Sequence, residues 1–283
     1  MAHMLQCFWR MKMDNIQLQR HANNIRKNIV DMVYAAQSGH PGGSLGCADI
    51  ITYLYFEEMD INKDNVSSKD RDRFVLSKGH CSPALYAVLK EKELIDEDLL
   101  TFRKLGSKLQ GHPSTSFLDA VDMSTGSLGQ GVSCAVGMAL ANKLDNNNHT
   151  IYCLVGDGEA EEGIVWEALM AACHYKLDNL VIIFDNNGLQ IDGNVQDVIG
   201  PLPLKEKALA FGAHTVEING NDFDSIRNGF KDREKGKPTV IVAHTVKGKG
   251  VSYMENNAGW HGKAPNKEEY EQAMKELNNG TRN

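Results

Sequence analysis

The sequence predicts an α/β fold, a doubly wound and mostly parallel sheet with helices on both faces. Two apolar runs, at 151–155 and 180–184, have the length and composition of buried parallel strands. The helical stretch between them, at 164–173, makes the segment a strand, crossover helix and strand of one βαβ unit. Strands and helices alternate along most of the chain, and alternation on this scale is typical of a doubly wound sheet.

The other elements have local signals of their own. Asp14 can cap a long first helix, and Gly39 can end it. One face of this helix carries Ile25, Ile29 and Val33. The elements predicted after it are a helix at 48–58, a strand at 73–76, helices at 83–92 and 127–144, the βαβ unit, a strand at 215–218, a helix at 224–233, a strand at 239–243 and a helix at 267–277.

Composition limits the classes of protein to consider. The 283 residues suit one large domain, which we expect at 14–283, after a disordered leader or cloning remnant at 1–13 that lacks the apolar core of a signal peptide. A net charge of −7 without a dense basic stripe argues against nucleic-acid binding. No apolar run approaches the ~20 residues of a membrane span. Six cysteines without CxxC spacing indicate reduced thiols, so we expect a cytoplasmic protein.

Oxygen-bearing side chains follow both strands of the βαβ unit. The sequence GDG at 156–158 comes directly after the first strand, and NN at 186–187 comes after the second. Because parallel strands end at the same edge of a sheet, where open α/β folds bind ligands, Asp157 and Asn187 should lie close together. Their oxygens suit Mg²⁺, which completes its shell with water and phosphates. We therefore predict a site for a metal and a diphosphate, although Asp157 alone would equally suit a helix cap.

The glycine-rich segment at 126–131 precedes a predicted helix. Unpaired N–H groups at a helix start suit an anion, although such a cluster taken alone is usually a tight turn. Its spacing is GxxGxG rather than GxGxxG, and GxxxxGK[ST] does not occur in the chain. These two observations weaken a dinucleotide-binding or nucleotide-hydrolysing interpretation.

Taken together, the motifs resemble those of the transketolase family. GDG, 27 intervening residues and NN resemble the thiamine diphosphate fingerprint. Further matches occur in transketolase order: SGHPGG at 38–43, SKGH at 77–80, GHP at 111–113, TGSLGQG at 125–131 and WHG at 260–262. A full-length transketolase has a pyrimidine-binding domain and a C-terminal domain after this region. The chain, which ends at Asn283, thus resembles the N-terminal, diphosphate-binding subunit of a split transketolase.

The resemblance implies roles for individual residues. Mg²⁺, for which Ca²⁺ or Mn²⁺ could substitute, would be bound by Asp157, Asn187 and the carbonyl oxygen of Leu189. The residues implied to bind thiamine diphosphate are Lys78, His80, Gly126, Ser127, Leu128, Asp157, Gly158, Asn187, Lys247 and His261. The residues implied to be catalytic are His40, His112, His261 and Glu162.

These catalytic residues would divide the chemistry between them. His40 and His112 would contact sugar hydroxyls, and His261 would stand near the reacting carbon of the cofactor. Glu162 would bond across a dimer to the glutamate that activates the cofactor, which belongs to the domain outside this chain. The neighbouring Glu159 and Glu161 are interpreted as ordinary acidic residues of a helix start.

The resemblance also implies the reaction. With a C-terminal partner subunit, and two copies of each, the chain would transfer a two-carbon ketol unit from a ketose phosphate, or a related ketose, to an aldose phosphate. Two alternatives stay open. One is another thiamine diphosphate enzyme, such as a deoxyxylulose-phosphate synthase or an E1-type dehydrogenase subunit, although SKGH, GHP and WHG favour transketolase. The other is a non-catalytic scaffold, which would have no need of the proton-transferring histidines and Glu162.

Overall fold

A computed structural model describes residues 13–201 and 203–280, so the predicted leader lies outside the described residues except for Met13. Within these ranges the predicted α/β fold class is confirmed. The five strands of the main sheet are β1 (Arg73–Leu76), β2 (Ile151–Gly156), β3 (Leu180–Asn186), β6 (His214–Asn219) and β7 (Thr239–His244). They are all parallel and lie in the order β1-β2-β3-β7-β6. A separate antiparallel hairpin pairs β4 (Leu189–Gln190) with β5 (Gly193–Asn194).

Helices connect these strands and flank them. In the described residues they are α1 (Asn15–Ala36), α2 (Pro41–Gly46), α3 (Ala48–Tyr53), α4 (Ser82–Glu91), α5 (Gln130–Leu144), α6 (Gly163–His174), α7 (Val195–Val198), α8 (Leu204–Phe211), α9 (Phe223–Lys231) and α10 (Lys267–Asn279). The helix predicted at 48–58 is α3 continued by a π-helical turn, Leu54–Glu58. The short helices α2, α7 and α8 and the β4–β5 hairpin were not predicted.

Two hydrophobic cores lie on opposite faces of the sheet. On β3, Leu180, Ile182 and Phe184 pack with buried residues of α5, α6 and α8. The alternate residues, Val181 and Ile183, pack with buried residues of α1, α3, α4 and α9. Successive side chains of a strand point to opposite faces, so a strand buried on both sides is apolar throughout. Helices on both faces confirm the doubly wound arrangement.

The path of the chain explains which face each helix covers. From β1 through β2 and β3 to β6 the chain moves in one direction across the sheet, and it then returns to β7. Because crossover connections between parallel strands are right-handed, the return from β6 to β7 places α9 on the face opposite α6 and α8.

The predicted Asp14 cap at the start of α1 is confirmed, but the predicted end of the helix is wrong. Asp14 accepts a hydrogen bond from the backbone N–H of Gln17 (2.7 Å), and the Gln17 side chain accepts one from the N–H of Asp14 (3.1 Å). The helix ends at Ala36 because Gln37 adopts the left-handed conformation (φ 48°) that Gly39 was expected to supply.

No helix among the described residues is long and apolar enough to cross a membrane. Within the same ranges, all the cysteines are free thiols: Cys47, Cys81, Cys134, Cys153 and Cys173.

Candidate functional site

A cleft of about 250 Å³ opens at the carboxyl ends of the strands. Most of the predicted site residues line it: Lys78, His80, Leu128, Asp157, Gly158, Glu162, Asn187, Leu189, Lys247 and His261. Strand register accounts for much of this convergence, since Gly156 of β2 pairs with Asp185 of β3. The residues that follow the two strands therefore leave the sheet side by side.

The three predicted metal ligands all line this cleft. The buried Asp157 carboxylate accepts hydrogen bonds from the backbone N–H groups of Gly158 (2.8 Å) and Gly188. The Asn187 side-chain oxygen accepts one from the N–H of Leu189 (3.2 Å). The carbonyl oxygen of Leu189 accepts one from Lys247 Nζ (3.1 Å), so a cationic group already contacts one of the three.

The charges around Asp157 fit a hard cation. Burial, and then the nearby charge of Asp185, raise the pKa of Asp157 to about 6, while the two N–H bonds and Lys247 oppose the rise. Burial lowers the pKa of Lys247, and the charge of Asp157 opposes that fall. An ionised carboxylate under these conditions gains from a divalent cation, and a carboxylate, an amide oxygen and a carbonyl oxygen are donors that Mg²⁺ accepts.

Three histidines form a cluster beside the cleft. The ring centroids of His40, His80 and His261 lie 5.1–5.3 Å apart. Burial and the proximity of His80 lower the pKa of His40 to about 4, and burial and Lys247 lower that of His261 to about 3. Both rings are therefore neutral at pH 7. The Nδ1 atom of His40 is buried and has no hydrogen-bond partner among the described residues.

His112 lies at the open side of this cluster and is exposed. Its ring packs over Gly126, where an added Cβ would lie 3.3 Å from the ring. Burial and the nearby charges of Arg103 and His80 lower the pKa of His112. The effect of His80 shows that the structure brings His112 near the other histidines. Gly126 therefore serves as a surface for the His112 ring. Ser127, by contrast, is exposed and is not among the lining residues of the cleft.

Lys78 lines the cleft, but its ammonium group is directed beneath it. Lys78 Nζ forms an ion pair with Asp185, and both side chains are almost completely buried. Burial alone would lower the pKa of Lys78, but the charge and hydrogen bond of Asp185, together with the neighbouring Cys47 and Cys81, outweigh it and hold the pKa well above its usual value. Asp185 also accepts a hydrogen bond from Thr245. The sequence interpretation missed Asp185, although its place before NN at the end of an apolar strand was a usable signal.

The interpretation of Glu159 as an ordinary acidic residue of a helix start is wrong. Its side chain is 2 % exposed and accepts three hydrogen bonds, one of them from the backbone N–H of Gly129. That N–H group, predicted to be available to an anion, already has a partner. The predicted helix start at Ser127 is also wrong: α5 begins at Gln130, after Gly129 in the left-handed region (φ 82°).

Glu162 has a different environment from Glu159. It precedes α6, is exposed and lines the cleft. Glu161, beside it, hydrogen-bonds Gln190 of β4. Of the three neighbouring acids, Glu162 is therefore the one whose carboxylate is open to a group from outside the chain.

Comparison with known proteins identifies close relatives of this sequence. The profile of a family described as "Transketolase, thiamine diphosphate binding domain" matches residues 17–281. The chain is 43 % identical to one subunit of the apulose-4-phosphate transketolase of Phocaeicola vulgatus, over 94 % of this chain and 95 % of that protein. It is 42 % identical to the 6-deoxy-6-sulfo-D-fructose transketolase subunit SqwG of a Clostridium species, over 94 % and 98 %.

Full-length transketolases also match, over part of their length. Mouse transketolase is 40 % identical over 92 % of this chain but 42 % of its own length. The crystal structure of Campylobacter jejuni transketolase superimposes with a TM-score of 0.87 and 39 % identity, over 94 % of this chain and 43 % of that one. The chain thus spans less than half the length of these full-length relatives and nearly the whole length of the two named subunits.

Proposed function

Since this chain belongs to the transketolase family and comprises its thiamine diphosphate binding domain, we propose that it is the N-terminal subunit of a split transketolase. It would bind Mg²⁺ and the diphosphate of the cofactor, and would transfer ketol units only together with a C-terminal subunit. The observation that carries the proposal is the meeting of Asp157, Asn187 and Leu189 with the neutral His261 in one cleft, with the neutral His40 beside it. The chain covers nearly the whole length of the two relatives named as subunits, and this supports a transketolase divided into two chains.

The residues that would hold the metal and cofactor follow from the donors in the cleft. Asp157, Asn187 and the Leu189 carbonyl would bind Mg²⁺, or Ca²⁺ or Mn²⁺ in its place. His80, Gly158, Leu128 and Lys247 would border the diphosphate, with Lys78 contributing its charge from below. When bound, thiamine diphosphate supplies a nucleophilic carbon and an electron sink for cleavage of a carbon–carbon bond next to a carbonyl group.

The histidines would position the sugar and move its protons. A neutral imidazole can accept a proton at one nitrogen and donate one at the other. Proton transfers to and from sugar hydroxyls require both functions. His40 has a free buried Nδ1, and His112 is exposed at the open side of the cluster; both features suit contacts with a substrate. His261 would act deeper, beside Lys247, whose Nζ lies 3.1 Å from its Nδ1.

The donor would be a ketose phosphate or a related ketose, and the acceptor an aldose phosphate. The names of the two subunit relatives, one for apulose-4-phosphate and one for 6-deoxy-6-sulfo-D-fructose, support a ketose outside the common pentose phosphates as readily as one among them. We further propose a cytoplasmic assembly with two copies of each subunit. Exposed Glu162 would there meet the glutamate that activates the cofactor.

Two variants of the reconstituted pair test this function. His112→Ala should lower ketol transfer roughly 10²-fold, within the range of general acid–base groups, and leave cofactor affinity nearly unchanged. Asp157→Ala should abolish Mg²⁺-dependent cofactor binding and leave the fold intact, because the main protein charge at the metal is lost. Steady-state kinetics and calorimetry measure both effects. Wild-type turnover by His112→Ala together with wild-type cofactor affinity of Asp157→Ala would contradict the proposed site and favour a scaffold.

A further inference from the structure

Glu159 joins three segments of the chain through one buried carboxylate. Its Oε1 atom accepts hydrogen bonds from Ser77 Oγ (2.6 Å) and from the backbone N–H of Gly129 (2.7 Å). Its Oε2 atom accepts one from the backbone N–H of Gly156 (3.0 Å). Both oxygens therefore have partners, and the side chain is 2 % exposed.

Each of these donors immediately precedes or follows a residue that faces the cleft. Ser77 precedes Lys78 after β1, and Gly156 precedes Asp157 after β2. Gly129 follows Leu128 at the start of α5. The three segments are far apart in the sequence, and Glu159 contacts all three. Its carboxylate thus fixes how the two strand ends and the glycine segment are placed relative to one another.

The packing around these donors leaves little room for another arrangement. A Cβ on Gly131 would lie 2.6 Å from Ser77 Oγ, which shows how closely α5 approaches the end of β1. Gly129 has φ 82°, and a Cβ there would collide with Ile164 of α6. Because the backbone segments touch here, a change at the carboxylate that joins them would be transmitted to the cleft rather than absorbed.

We propose that Glu159 is a positioning residue for thiamine diphosphate, and that it acts by holding Leu128, Asp157 and the Lys78 segment in the arrangement that binds the cofactor diphosphate. This inference rests on the proposed function, because thiamine diphosphate is the ligand concerned. Glu159 is assigned a positioning role rather than a metal-binding one because its carboxylate accepts three hydrogen bonds, two of them at Oε1, whereas Asp157 accepts one at each oxygen.

Glu159→Gln is the variant that tests the proposal. It keeps the shape of the side chain, but its amide nitrogen cannot accept a hydrogen bond, so at least one of the three donors loses its partner. The matched control is Glu167→Gln, the same change at an exposed position of α6. Each variant of the full chain is mixed with its C-terminal partner subunit. Calorimetry then gives the affinity for thiamine diphosphate in Mg²⁺, and kinetics at saturating cofactor give KM for the sugars.

We expect Glu159→Gln to weaken cofactor binding roughly 10- to 100-fold, the range for groups that orient ligands from behind, with KM for the sugars unchanged. Glu167→Gln should match the wild type in both. Ser77→Ala removes one donor and should weaken cofactor binding by a smaller factor, which keeps the test available if Glu159→Gln does not fold.

Two results would overturn the inference, and they differ. If the wild-type pair binds thiamine diphosphate and the Glu159 and Ser77 variants bind it equally well, Glu159 has only a structural role, whatever happens to Tm. If the wild-type pair itself does not bind thiamine diphosphate, the proposed function fails and the inference fails with it.

Discussion

Three buried carboxylates near the cleft differ in what they can still bind. Asp185 contacts the Lys78 ammonium and the Thr245 hydroxyl, and Glu159 accepts three hydrogen bonds from the protein. Asp157 and Glu159 both line the cleft, but Asp157 accepts only two backbone N–H bonds, one at each oxygen, against the three hydrogen bonds of Glu159. At the scale of single residues, Asp157 is therefore the member of this set that can accept a metal ion.

Removing the Asp185 charge should destabilise the chain strongly. Asp185→Asn leaves the Lys78 ammonium buried without its counter-charge, and breaking a buried pair from one side costs about 3–5 kcal/mol. The double variant Asp185→Asn/Lys78→Met should regain much of that loss. Denaturant unfolding measures both. Equal unfolding free energies for the single variant and the wild type would show that the pair does not stabilise the fold.

The lowered histidine pKa values predict a loss of stability in mild acid. The pKa of His40 is about 4 when folded, against about 6.5 in an unfolded chain. As the pH falls below about 6.5 the unfolded state binds a proton that the folded state does not, so the free energy of unfolding falls until about pH 4. His40→Gln should reduce the loss between pH 7 and pH 5 by about 1 kcal/mol, allowing for partial solvent exposure. An unchanged pH dependence would contradict the buried, neutral state of this ring.

At the scale of elements, the start of α5 is the place where backbone conformation is most constrained. Gly129→Ala should destabilise the chain by about 1–3 kcal/mol, because φ is positive and a Cβ would collide with Ile164. Gly137→Ala, within α5 itself, is the matched control. It is exposed with open space around it and should stabilise the chain by about 0.5–1 kcal/mol. Thermal unfolding compares them, and a similar effect of both variants would contradict the close packing at Gly129.

The elements that the sequence predicted are those with long apolar patterns. The strands β2 and β3 are apolar over residues 151–155 and 180–184 because both faces of the sheet are covered, and α1 carries a clear cap. The π-helical turn after α3 and the two-residue strands β4 and β5 are too short to leave a periodic signal. Tertiary contacts determine these elements, so the local sequence gives little indication of them.

The site residues also divide into those that the sequence could predict and those that it could not. Asp157 and Asn187 could be placed because they follow adjacent strands, and the topology brings strand ends together, whereas Leu189 was implied by the family resemblance. The partners of buried charges were missed, since nothing local distinguishes Glu159 from the exposed Glu162 in one acidic run. Their difference arises from the neighbouring segments that reach Glu159 after folding.

At the scale of the whole molecule, this chain corresponds to one part of a larger catalytic unit. In the superposition with Campylobacter jejuni transketolase, 94 % of this chain matches 43 % of that chain, with a TM-score of 0.87. The cleft contains the predicted metal ligands Asp157, Asn187 and Leu189, the neutral His261 and the exposed Glu162. By family resemblance, the group that activates the cofactor and much of the sugar-phosphate site would come from elsewhere. The donor sugar therefore could not be predicted from this chain.

The central claim, that ketol transfer requires this chain and a C-terminal partner subunit together, is tested most directly by an activity titration. Increasing amounts of the chain are added to a fixed amount of the partner, with thiamine diphosphate, Mg²⁺ and both sugars saturating, and the rate of ketol transfer is measured. We expect no transfer by either protein alone, a linear rise on mixing and a plateau at equal amounts of the two. Robust transfer by the purified chain alone would contradict the account.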